Sequence, residues 1–171
     1  LSLGLPIVTC MVYLTFYTPS VQDVVTNTES NYATSGGFGP NQVATFLGLG
    51  MFVFFSRTIL ESRTKFMLGL NLLIAINMSY RGIVTFSRGG MVTGFLMILL
   101  LLLFLYYKSN YTGRVKLNYV IVFISIAMLT TWSYISFQTG GLIDKRYANQ
   151  NARGVEKESK FTGREDLALH E

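Results

Sequence analysis

Leu96-Met97-Ile98-Leu99-Leu100-Leu101-Leu102-Leu103-Phe104-Leu105 is apolar at every position, so a helix built from it has no face to turn toward water. Such a run reads as the centre of a helix solvated by lipid rather than as one stripe of a soluble helix. The apolar character extends outward from Met91 to Tyr107. Immediately before it stands Tyr80-Arg81-Gly82-Ile83-Val84-Thr85-Phe86-Ser87-Arg88-Gly89-Gly90, which sets permanent cations at the mouth of the span. Arg88 falls in the first turn of that helix, where its charge adds to the positive end of the helix dipole and to unpaired backbone N–H groups. That combination repels itself unless a phosphate or carboxylate is near.

The rest of the composition agrees with a lipid-solvated chain. Of 171 residues, 50% are hydrophobic and 13% charged, and the mean hydropathy is +0.41. These values belong to an integral membrane protein. The net charge of +5 reflects Lys and Arg in loops and carries no nucleic-acid inference. Cys10 stands alone, which rules out an internal disulfide and a multi-cysteine metal site. No metal-ligand cluster and no cofactor motif is present in the sequence. Neither end reads as a finished element, so the chain reads as an internal fragment of a larger membrane protein.

Working outward gives an all-α, polytopic transmembrane bundle of about five spans, near residues 1–17, 41–56, 66–80, 91–107 and 117–137. Residues 138–171 read as the start of a large external loop. Between the first and second spans, Thr18 to Pro40 is polar, contains Asp23 and Glu29 and no Lys or Arg, and closes in the turn Ser35-Gly36-Gly37-Phe38-Gly39-Pro40. Gly48 and Gly50 offer a close-packing face, and Asn71 and Asn77 are expected to bond across to neighbouring helices. Arg81 to Gly90 is expected to be the turn between the third and fourth spans.

Loop charge gives an orientation. The segments from Arg57 to Lys65 and from Lys108 to Lys116 are basic and alternate with the acidic loop, so the positive-inside rule puts them in the cytoplasm. The acidic loop, the Arg81–Gly90 turn and the tail then face outward. Arg81 and Arg88 run against the charge bias that the other loops obey, and an ionisable group that does so at a membrane edge reads as functional. Arg81 has a second reading: at the C-terminal end of the third helix a cation complements the dipole. The competing account of Arg88 is an arginine that snorkels to ordinary headgroups.

In the tail, Gly140-Gly141 breaks the fifth helix, and Asp144 to Glu171 mixes six bases with six acids. Lys145-Arg146 beside Tyr147 reads as a solvated face, with docking on headgroups as the competing account. Arg164 reads on pattern alone as a solvated residue paired with Glu165 or Glu158. Asn41 reads as a helix-start or packing residue and His170 as a surface histidine.

At three places the chain resembles the O-antigen ligase and polymerase family, multi-span enzymes that handle lipid-linked glycans on the outer face of the bacterial inner membrane. Phe86-Ser87-Arg88-Gly89-Gly90 opening an apolar helix is similar to the family's Ser-Arg-Gly element. Phe161-Thr162-Gly163-Arg164 followed by Leu167 is similar to its Gly-Arg element early in a large periplasmic loop, and Gly39-Pro40-Asn41-Gln42-Val43-Ala44 to its Asn-x-x-Ala helix start. The resemblance runs from about Gly36 to Glu171. It implies a metal-independent and cofactor-free glycosyltransferase in the bacterial inner membrane, transferring a glycan from undecaprenyl diphosphate to a lipid or glycan acceptor. It further implies that Arg88 and Arg164 hold the diphosphate, with Arg81, Ser87 and Asn41 as further substrate-binding residues. The family's catalytic His would lie beyond Glu171, and His170 is too close to Arg164 to match it. The partners so implied are the lipid-linked donor, the acceptor and membrane lipids, with no nucleic acid. The alternative is a transporter or channel segment in which Arg81 and Arg88 line an anion path.

Overall fold

The computed structural model describes residues 3–156, and every extended element among them is helical. The elements are α1 (Gly4–Tyr17), α2 (Val21–Val24), α3 (Pro40–Leu60), α4 (Lys65–Val84), α5 (Arg88–Lys108), α6 (Tyr111–Gln138) and α7 (Leu142–Tyr147). Four of them, α3 to α6, are long and apolar enough to cross a membrane. The stretch expected as the first of about five spans forms α1, which has 14 residues in the described part. At 1.5 Å per residue that is about 21 Å, short of a hydrocarbon core of about 30 Å.

Local sequence sets the helix boundaries. Pro40 starts α3, where its missing N–H is no loss, and Thr64 caps α4 by accepting a bond from the Met67 amide. Gly140 and Gly141 end α6 with φ of 58° and 78°, a left-handed path that a glycine enters without strain. The connections are shorter than the charge pattern suggested. Arg81 belongs to the last turn of α4 and Arg88 opens α5, so the expected Arg81–Gly90 turn reduces to Thr85-Phe86-Ser87. Arg57 likewise lies in α3, and Arg114 and Lys116 lie in α6, because helices continue through charged residues once these reach the headgroup layer.

A glycine seam holds the centre. Gly48 on α3 faces Gly90 and Gly94 on α5, and a methyl group at any of these positions would collide with the facing backbone. The pairings advance together along both helices, so α3 and α5 run parallel, with α4 antiparallel to them. The space at Gly50 is filled instead by the side chains of Ile7 and Met78, which draws α1 and α4 onto α3. Ile7, Leu14, Leu47 and Met78 are fully buried there. Asn77 accepts from Thr15 of α1 at 3.5 Å, across helices as expected. Asn71 instead donates to Ser62 in the link preceding its own helix, at 3.2 Å, because that link folds back against α4.

A second apolar cluster, of Val21, Val25, Val84, Phe86, Ile135 and Ile143, lies at the Arg88 end of the bundle. Over it the segment between α2 and α3 caps the C-terminus of α4: the Thr34 hydroxyl donates to the Val84 carbonyl and the Asn31 amide to the Thr85 carbonyl, both at 3.0 Å. Two carbonyls that would be orphaned at a helix end are thereby satisfied. In contrast, α6 has only Leu117 and Ile135 buried and is otherwise half-buried or exposed, as suits a helix whose surroundings are lipid.

Candidate functional site

The N-termini of α3 and α5 and the C-terminus of α4 meet at one end of the bundle, and the candidate residues gather there. Ser87 is buried and donates from its hydroxyl to the Asn41 side-chain oxygen at 2.7 Å, joining the starts of α3 and α5. Arg88 follows in the first turn of α5 and is half-buried. Its Nη1 donates to the carbonyl of Arg146, a long contact of 3.4 Å. Among the described residues no carboxylate forms an ion pair with Arg88; the ion pair Arg57–Glu61 lies at the opposite end.

Arg146 corrects the expectation of a solvated face at Lys145-Arg146. It is only 8% exposed. Its Nε donates to the Phe86 carbonyl at 3.0 Å and its Nη2 to the Ser30 hydroxyl at 3.2 Å. The physical reason is that α7 folds back once the two glycines break α6, carrying Ile143 and Arg146 against the α4–α5 elbow. Burial holds the Arg146 pKa below the ordinary arginine value, and the neighbouring Arg88 charge pushes in the same direction; Glu29 and Tyr147 oppose them. Burial raises the Tyr147 phenol, against the lowering effect of both guanidinium groups. Two cations therefore act on each other and on one hydroxyl, with Glu29 near Arg146 but no ion pair to either guanidinium among the described residues, an arrangement that favours an anion.

Beneath this end an apolar cavity of about 220 Å³ lies between α3, α4, α5 and α6. Met91 and Val92, directly after the first turn of α5, form part of its wall, and Trp132 and Tyr147 stand at its Arg88 end. These two rings meet edge to face with centroids 4.9 Å apart. The Trp132 indole N–H donates to Asp144 at 2.7 Å, and the Ser136 hydroxyl donates to the other oxygen of the same carboxylate. Asp144 thus straps α7 to α6 over the cavity.

Arg81 faces a different neighbour. Its Nη1 donates to the Thr18 hydroxyl at 3.1 Å and its Nη2 to the Thr15 carbonyl at 3.0 Å, so it caps the C-terminus of α1. Only the Nε of its guanidinium is left without a partner. The structure thus brings Ser87, Asn41 and Arg88 together and turns Arg81 toward α1. Arg164 and His170 lie outside the described residues. No group of His, Cys, Asp and Glu suited to a metal ion occurs among the described residues.

Arg146, Tyr147 and the left-handed Phe86 are the residues that sequence reasoning missed. The usable signal was the spacing of Ile143, Arg146 and Tyr147, which shares one face of a helix just after a Gly-Gly break. Comparison of the chain with family models, with curated proteins and with solved structures gave no match.

Proposed function

We propose that this chain belongs to a bacterial membrane glycosyltransferase that takes a glycan from a polyprenyl diphosphate, as O-antigen ligases and polymerases do. The acceptor is a lipid or a growing glycan, and the active face is the extracytoplasmic side of the inner membrane. The observation that carries this reading is Arg88: a guanidinium with no ion-pair partner among the described residues, in the first turn of a span, above an apolar cavity walled by the next turn of the same helix. A lipid diphosphate has matching chemistry, an anionic head for the arginine and a hydrocarbon tail for the cavity.

The orientation follows from charge. Arg57, Arg63, Lys65, Lys108, Arg114 and Lys116 belong to the opposite end of the bundle with Glu61 as the accompanying acid, and an end so basic belongs in the cytoplasm. In this reading α1 is the first of the five spans, and residues 138–171 open the external loop.

In the reaction an acceptor hydroxyl attacks the anomeric carbon of the donor sugar, the bond from that carbon to the phosphate oxygen breaks, and the polyprenyl diphosphate leaves as an anion. Arg88 meets two phosphate oxygens with its planar fork and stabilises the charge that develops on them. Arg164 supplies a second such fork, and a general base from elsewhere in the complete protein removes the hydroxyl proton. The unbroken course of α5 supports the enzyme over the transporter, whose sites favour broken helices near the midplane.

The test uses the complete protein with purified lipid-linked donor. Arg88→Ala is expected to abolish glycan transfer and Arg88→Lys to leave a small residue of it, because a point charge replaces a fork. Unchanged turnover in both variants would remove Arg88 from the mechanism. Labelling of thiols introduced between Thr85 and Gly90 from the cytoplasmic side would sink the orientation as well.

A further inference from the structure

Arg88 itself is loosely held: its hydrogen bond among the described residues is the 3.4 Å contact to the Arg146 carbonyl. The group beneath it is held tightly. Arg146 is 8% exposed and donates to Phe86 and to Ser30, from a helix anchored separately by Asp144 on Trp132 and Ser136. Phe86, the acceptor of its Nε, is fully buried with φ of 58°. A bulky residue in that region is strained and persists only where its surroundings fix it. The direction in which α5 leaves a three-residue elbow depends on that conformation, and Arg88 is two residues further on.

We propose that Arg146 is a positioning residue for Arg88. Its side chain holds the carbonyl of the strained Phe86 and its main-chain carbonyl accepts from Arg88 Nη1, so that Arg88 is aimed at the anion without the Arg146 side chain touching it. This rests on Arg88 being the diphosphate ligand. Ser30 is the outer tether of the clamp, which links the segment before α3 to the aim of Arg88.

The experiment uses phenylglyoxal, which modifies guanidinium groups, on the full chain in detergent, with Arg88 followed by peptide mass spectrometry and inorganic pyrophosphate as the probe. In the wild type pyrophosphate slows modification of Arg88. In Arg146→Gln half-protection is expected to need about tenfold more pyrophosphate, and Arg146→Lys, which can still donate to Phe86, to recover to within about threefold. Half-protection in Arg146→Gln equal to wild type, with an unchanged unfolding temperature, overturns the proposal. Should Arg146→Gln fail to fold, Ser30→Ala decides, with a weakening of about threefold expected and no weakening fatal. Absence of protection in the wild type sinks the diphosphate reading alone. The clamp is then judged by the unprotected rate at Arg88, which should rise in Arg146→Gln while that of Arg153 does not; equal rates overturn it.

Discussion

The Ser87 hydroxyl donates to the Asn41 side chain across 2.7 Å, and this bond stitches together the first turns of two parallel helices. Ser87 is buried and Asn41 exposed, so truncating Asn41 strands the Ser87 hydroxyl, while truncating Ser87 removes the bond and leaves Asn41 to turn to solvent. Ser87→Ala and Asn41→Ala should each lower stability by about 1 kcal/mol, and the double variant by clearly less than the sum. Unfolding of the four proteins in one detergent checks this, and strict additivity would mean the bond contributes nothing.

Gly90→Ala and Gly94→Ala should each destabilise by about 1–3 kcal/mol, since the added methyl meets backbone that cannot yield. Gly69→Ala is the internal control. It adds a methyl to α4 where nothing lies within 4 Å, and should gain about 0.5–1 kcal/mol from helix propensity. Thermal unfolding of the variants side by side separates the two signs.

Arg81→Ala should free the end of α1, with a loss of about 2 kcal/mol for the charged donor on Thr15 and Thr18. Cys10 on the same helix is a native reporter of this change. Its labelling by a maleimide should accelerate in Arg81→Ala and not in Arg88→Ala.

Burial raises the Tyr147 pKa above its usual 10.0. The folded state therefore keeps a proton that the unfolded state releases, so stability falls as pH rises past 10 toward the raised value. Tyr147→Phe should lose that part of the alkaline decline while matching wild type below pH 10. Unfolding temperatures measured from pH 8 to 11 compare the two curves, and identical slopes would argue against a buried phenol.

Much of this architecture could be read directly from residue order. The lipid-solvated run around Leu96–Leu105, the Pro40 helix start and the Gly140-Gly141 break each act through local chemistry, and local chemistry is visible in a single chain. Arg146 was not legible, because its burial depends on α7 folding back onto an elbow 60 residues earlier. Arg81 was half legible: its place at a helix end was clear, but the neighbour that uses it, α1, is 66 residues away. Basic loops were read too long for a related reason, since charge marks the headgroup layer and not the place where a helix stops.

The backbone contact between α3 and α5 also limits how this molecule can move. Sliding one past the other by a single turn would drive side chains into main chain along the whole line of contact, so the pair acts as a keel of fixed shape. The freedom that remains belongs to α6, which has few buried residues and ends at two glycines in left-handed geometry. Any widening that admits a bulky guest from the bilayer must therefore come from α6 swinging outward, while the arginine end keeps its geometry.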